Sequence, residues 1–178
     1  MKKKYYIFYL LLFILTFIDQ ITKALVIKFL SVSKSLILIN NFLKFYYIKN
    51  TGISFGIFSG KQLMIIIVTF IIISYLIYDL VKNINNKKIF ISTILIVSGA
   101  LGNLIDRVFR GYVVDFISFT LFGKEMAIFN VADVFITFGV ILYILNIIME
   151  GKYGKDSNKR RKWIKKIRFI FSRLFGWK

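Results

Sequence analysis

The only side chains here suited to strong acid-base chemistry near neutral pH are carboxylates. The 178 residues include no histidine and no cysteine. That excludes zinc sites, histidine-assisted serine or cysteine nucleophiles, thiolate clusters and disulfides. Lysine and tyrosine would contribute only with strongly perturbed pKa values. Eight acids remain: Asp19, Asp79, Asp106, Asp115, Glu125, Asp133, Glu150 and Asp156. Asp19, Asp106, Asp115 and Asp133 are expected at one depth of the protein, in one layer with Asn50, Asn103, Arg107 and Asn130. The elements that carry them give the reason.

The chain is 58% hydrophobic and 19% charged, with a mean hydropathy of +0.73. A soluble domain usually carries about 25% charged residues. Four apolar runs cover residues 5–30, 63–81, 89–105 and 128–149. Each is near the roughly 20 residues that cross a bilayer as a helix. The third is shortest and needs a few flanking residues. A net charge of +18 would suit nucleic acid, but the basic residues lie mostly outside the runs, as in a membrane protein. Seventeen of the 26 lysines and arginines precede the first run, fill the connection between the second and third, or follow residue 150. The expected protein is therefore a multi-pass α-helical membrane protein with four transmembrane helices and both termini cytoplasmic. A cleavable signal peptide fits the first run poorly. The run is too long for one and holds Asp19 and Lys23.

A helix rises 1.5 Å per residue, which puts Asp19 about 21 Å and Asp106 about 26 Å into a hydrocarbon core about 30 Å thick. The fourth run points the other way, so Asp133 near its start shares that outer level. Asp115 falls in the short outer loop before it. Residues 36–39 and 42–48 are β-prone around Asn40-Asn41, and residues 112–128 read as short strands around Gly123-Lys124. Outer loops 31–60 and 107–128 are thus expected to form a small β-rich cap. Carboxylates beside hydrocarbon are costly and tend to be functional. Each also has a plainer reading. Asp133 could cap a helix, Asp106 could pair with Arg107 or a headgroup, and Asp19 and Lys23 sit four apart as an ion pair.

Five blocks in order resemble lipoprotein signal peptidase (signal peptidase II), an integral-membrane aspartyl protease family of bacteria. They are Asp19-Gln20-Ile21-Thr22-Lys23, Asn50-Thr51-Gly52-Ile53-Ser54-Phe55-Gly56, Gly99-Ala100-Leu101-Gly102-Asn103-Leu104-Ile105-Asp106-Arg107, Val113-Val114-Asp115-Phe116-Ile117 and Phe129-Asn130-Val131-Ala132-Asp133. The resemblance implies that Asp115 and Asp133 are a catalytic pair at the outer leaflet of the bacterial cytoplasmic membrane. It implies diacylglyceryl-prolipoprotein substrates, cut on the amino side of the lipidated cysteine. It implies a groove involving Asn50 and Gly52, with Asn103, Asp106, Arg107, Asn130 and Ala132 in the same blocks.

Carboxylate-only peptide hydrolysis needs two acids sharing a site, because like charges held close keep one proton between them. One takes a proton from water, and the other hydrogen-bonds the carbonyl oxygen. No metal or organic cofactor is required, and no nucleic-acid partner is expected. Membrane lipid is expected to take part, since the acyl chains stay in the bilayer while the peptide reaches the acids. Asn103 and Asn130 would orient the pair without adding charge, and Arg107 would anchor a carbonyl or carboxylate. Gly99 leaves room for a neighbouring helix or substrate. Asp19 and Lys23 read as structural support. The competing class is a small proton-coupled transporter using intramembrane carboxylates. The lack of a repeat and the clustering of acids at one surface count against it.

Residues 1–150 are expected to form the peptidase domain and 151–178 a basic cytoplasmic tail. In the tail Trp163, Ile164, Ile167, Ile170, Phe171, Leu174 and Phe175 recur at helical spacing among lysines and arginines. This is the pattern of an amphipathic helix lying on anionic lipid. Deleting residues 156–178 is predicted to leave cleavage of a lipidated substrate in detergent largely intact. Loss of that activity would put the tail inside the catalytic unit.

Overall fold

The computed structural model describes residues 2–30, 35–52, 60–153 and 165, with side chains up to residue 149 and at 165. Four helices are long and apolar enough to span a membrane: α1 (Lys2–Leu30), α2 (Gln62–Lys82), α3 (Lys87–Arg110) and α4 (Val131–Tyr153). Strands β1 (Ser35–Ile39) and β2 (Leu43–Asn50) lie between α1 and α2. Strands β3 (Val113–Leu121) and β4 (Lys124–Glu125) lie between α3 and α4. The amphipathic tail falls outside the described residues.

Helix α3 is the centre of the bundle. In its most apolar window 72% of residues are buried, against 17–22% in the other three helices, whose aliphatic and aromatic side chains point outward. Such side chains suit lipid. Lipid supplies little hydrophobic drive for helix association, so close approach has to come from small residues. Gly99 of α3 lies against the backbone of Ala132, and a Cβ there would overlap the Ala132 carbonyl oxygen. Gly139 of α4 is the reciprocal case. A Cβ would come within 2.7 Å of the Ile96 side chain and 2.9 Å of its backbone nitrogen. The packing reading of Gly99 therefore has a specific contact behind it.

The ends of α3 differ from the third apolar run. Asn86 caps its start by accepting from the backbone N–H groups of Lys88 and Ile89. The helix continues past residue 105 to Arg110 and stops at Gly111, whose φ of 76° is the left-handed geometry of a helix C-cap. Arg107 and Arg110 suit the negative end of the helix dipole, which explains why this polar stretch stays helical rather than opening the loop. Helix α4 in turn starts at Val131, three residues later than its apolar run. Phe129 is taken by the sheet instead. It exchanges backbone hydrogen bonds with Ile117 at 2.8 and 3.1 Å.

The strands form one antiparallel sheet in the order β1-β2-β3-β4. The two tight turns carry residues with positive φ, Asn41 in the first and Phe122-Gly123 in the second. Val114 and Phe116 of β3 pack on Val26 of α1, which seats the sheet on the C-terminal end of that helix. At the opposite end Tyr143 of α4 donates to Asp79 of α2 at 2.6 Å.

Gly99→Ala is predicted to destabilise the fold by about 1–3 kcal/mol, the range for overpacking a filled interface. A lowered thermal midpoint in detergent would register it. An unchanged midpoint would mean that α4 shifts freely.

Candidate active site

Two local structures bring Asp115 and Asp133 to one place. Asp115 lies on β3, paired opposite Ile48 of β2. Asp133 lies in the first turn of α4. The start of α4 is a reciprocal cap. The Asn130 side-chain oxygen accepts from the backbone N–H of Asp133 at 3.0 Å, and Asp133 Oδ2 accepts from the backbone N–H of Asn130 at 3.2 Å. The bridge between Phe129 and Ile117 lays this cap beside β3. Asn130 Nδ2 then donates to Asp115 Oδ1 at 2.6 Å. One residue thus holds both carboxyl groups, Asp115 by its side chain and Asp133 by its backbone.

The remaining carboxylate oxygens have donors as well. Asn50 Nδ2 donates to Asp115 Oδ2 at 2.7 Å, and Asn103 Nδ2 donates to Asp133 Oδ1 at 2.8 Å. Asp115 is buried and Asp133 is half-buried. Burial pushes the Asp115 carboxyl up from 3.8 to about 6, and the nearby charge of Asp133 adds to this. Hydrogen bonds from Asn50 and Asn130 and the charge of Lys23 oppose the rise without cancelling it.

Asn50, Asn103, Arg107, Asp115 and Asp133 line one end of a cavity of about 780 Å³. The rest of its wall is mostly apolar: Ile65 and Ile72 of α2, Ile96 and Ala100 of α3, Val134 and Phe138 of α4. A second cavity of about 400 Å³ shares Asn50 and Asp115 and runs between β2 and residues 125–128. The carboxyl pair therefore sits where a polar recess meets an apolar slot. Arg107 spans its side of the recess by donating to the carbonyls of Gly52 (2.9 Å) and Asn103 (3.3 Å), and its buried Nε has no partner among the described residues. Gly52 closes an Asx turn, its N–H donating to Asn50 Oδ1 at 2.9 Å. Residues 53–56 of the same sequence block lie outside the described residues.

Other residues singled out from the sequence gather in a second cluster behind the pair. Lys23 and Asp19 form the expected ion pair at 2.8 Å, both fully buried. Asp106 joins them, 3.1 Å from Lys23, and also pairs with Arg110. Asp106 partners Arg110 rather than the adjacent Arg107 because only the residue one helical turn on shares its face. It does not line either cavity described above, and it supports β3 by accepting from the backbone N–H of Val114 at 3.0 Å. Ala132 joins this second cluster through its N–H, which donates to Asp19 at 2.9 Å. Gln20 had drawn no role from the sequence, yet it bonds Gly102, Asp106 and Arg110. Its signal was its place in the polar interruption Asp19-Gln20-Ile21-Thr22-Lys23 of an apolar run.

Residues 11–149 match the family model described as signal peptidase (SPase) II. The chain belongs to the signal peptidase II family. The lipoprotein signal peptidase of Clostridium tetani (strain Massachusetts / E88) is 46% identical over 138 residues, covering 76% of this chain and 88% of the relative. That of Staphylococcus aureus (strain MRSA252) is 38% identical and covers 93% of this chain and its own full length. A solved bacterial membrane enzyme superposes with a TM-score of 0.77 at 36% identity, covering 84% of this chain and 92% of that one. This signal peptidase II is accordingly a membrane protease, and the fold expected from its sequence, four spans with a small antiparallel sheet, is the one observed.

The raised Asp115 carboxyl has a definite sign. Its folded pKa of about 6 lies above its ordinary 3.8. The fold therefore favours the protonated form, and stability is predicted to fall as pH rises from about 4 to about 6, then level off. Thermal midpoints of the wild type measured against Asp115→Asn, which cannot titrate there, isolate this contribution. A pH-independent difference would show that Asp115 is not raised.

Proposed function

We propose that this signal peptidase II removes the signal peptide from diacylglyceryl-modified prolipoproteins, with Asp115 and Asp133 sharing the activation of one water. The observation that carries the reading is the joint hold of Asn130 on two carboxyls that line one end of an apolar slot. Two carboxyls in one recess resist double ionisation, so the pair enters the cycle with one proton. Burial favours Asp115 as its holder. The ionised partner takes a proton from water as the oxygen attacks the scissile carbonyl. The protonated partner hydrogen-bonds the carbonyl oxygen, and a carboxyl then protonates the leaving nitrogen. The roles exchange within the pair, which titrates as a unit.

The cut falls on the amino side of the lipidated cysteine. The mostly apolar wall between α2, α3 and α4 suits a chain that stays in lipid, while the polar end receives the peptide bond. Asn50, Gly52, Asn103, Arg107 and Asn130 position the pair and the backbone. Gly99, Asp106, Ala132, Asp19 and Lys23 hold the elements around them. The basic residues favour cytoplasmic termini, so the sheet end and the site face the outer leaflet. Residues 151–178 then form a basic tail at the cytoplasmic surface, outside the peptidase unit.

The test is cleavage of a prolipoprotein presented with and without its diacylglyceryl group. Only the lipidated form should be cut. Asp115→Asn and Asp133→Asn should each lose at least about 10³-fold in rate, on the scale of removing a member of a unit that works jointly. Undiminished cleavage by either variant would refute the pair, and equal cleavage of the unlipidated form would refute the substrate class.

A further inference from the structure

One hydrogen bond on the carboxyl pair, from Asn103 to Asp133, has a direction that traces back to a buried cation. Lys23 lies on α1 with its side chain wholly buried. Its three N–H donors are all used: on Asp19 Oδ2 at 2.8 Å, on Asp106 Oδ2 at 3.1 Å and on Asn103 Oδ1 at 2.9 Å. Neutralising the two acids accounts for the first two contacts. The third does something else.

A carboxamide has one accepting end and one donating end, and it can be turned over. An ammonium group only donates. Beside Lys23, Asn103 must therefore present its oxygen, which sends its Nδ2 to Asp133 Oδ1 at 2.8 Å. Turned over, Asn103 would point an N–H at the ammonium and an oxygen at the carboxylate, leaving two mismatched polar contacts in a buried place. The same Asn103 oxygen also accepts from Asn130 Nδ2 at 3.1 Å. Asn130 is itself oriented by the Asp133 backbone N–H, and its Nδ2 also donates to Asp115. The side-chain donor on Asp133 thus follows from a cation that touches neither carboxyl, and the donor Asn130 shares between Asp115 and Asn103 meets it at the Asn103 oxygen.

We propose that Lys23 is a positioning residue for the hydrolysis, acting through Asn103 to fix which face of the Asp133 carboxylate is held and which is left for water. This rests on the reading of Asp115 and Asp133 as the reacting pair. The charged groups that act on Asp115 are Asp133 of α4, Lys23 of α1 and Arg107 of α3, and Glu125 lines the smaller cavity with it. The positive charge of Lys23 pulls the Asp115 proton off. Its loss therefore favours the protonated form.

Lys23→Met alone would leave the buried Asp19 carboxylate without its cation and strongly destabilise the bundle. The charge-balanced variant Asp19→Asn/Lys23→Met avoids this, because Asp106 keeps Arg110. On a lipidated substrate, kcat per folded enzyme should fall about 100-fold with KM little changed, as expected for misplacement of reacting groups. The alkaline limb of the kcat/KM profile should move to higher pH. Asp19→Asn alone should show neither change. Adding Asn103→Leu to the double variant should cost no more than Asn103→Leu by itself, since both cut the same link.

Unchanged kcat and pH limb in the double variant, equal losses in Asp19→Asn, or additive losses with Asn103→Leu would each overturn the role. If the double variant does not fold, the Asn103 side-chain NH2 of the wild type decides by NMR. Solvent exchange of both protons is expected to be far slower than that of a free side-chain amide, and exchange at the free rate would overturn the proposal. Asp115→Asn and Asp133→Asn run alongside. Activity in either would defeat the pair itself, whereas silent controls with an unaffected double variant would defeat Lys23 alone.

Discussion

A carboxylate placed among apolar helices survives only where donors or cations meet its oxygens, because an unpaired charge there costs several kcal/mol. This requirement organises the sheet end of the bundle. Four aspartates gather there, and every one of their oxygens receives a donor or a cation. The partners divide the aspartates into two groups with different chemistry. Asp19 and Asp106 face cations and form a closed ionic core with Lys23 and Arg110. Asp115 and Asp133 face neutral amides, which satisfy their oxygens without cancelling their charge.

The sheet and the helix cap deliver that second group. A helix start leaves backbone N–H groups to be satisfied, and Asn130 caps α4 while its side chain reaches Asp115 on β3. Glycines let the helices close around it. A Cβ at Gly102 would overlap the Asp19 carboxylate, and one at Gly99 would overlap the Ala132 carbonyl. The ionic core behind and the glycine contacts beside it restrict how far α3 and α4 can slide, and thereby where Asp133 points.

Much of this was legible in the residues. Apolar run lengths located the four spans, and helical rise put Asp19 and Asp106 at one level. The β-prone pairs around Asn40-Asn41 and Gly123-Lys124 became the strand pairs of the sheet. Hydropathy failed where polar residues stay helical and apolar ones do not. Residues 106–110 extend α3 because their arginines suit its C-terminal end, while Phe129 leaves α4 because β3 claims its backbone. Depth, together with the shared sequence block, groups Asp106 with the reactive layer. Depth ignores azimuth, and the turn of α3 aims it at α1 rather than at the recess. The joint hold of Asn130 on both acids is a tertiary fact, and no local pattern in the chain announces it.

The ionic core also bears on how such a protein is made. Its four charges come as two pairs, Asp19 with Lys23 and Asp106 with Arg110, each spaced four residues apart on its own helix. Each of these pairs can leave the translocation machinery with its own charges already matched, so neither must wait for the other helix before partitioning into lipid. The exchange of partners that welds α1 to α3 then takes place between helices that have already been inserted.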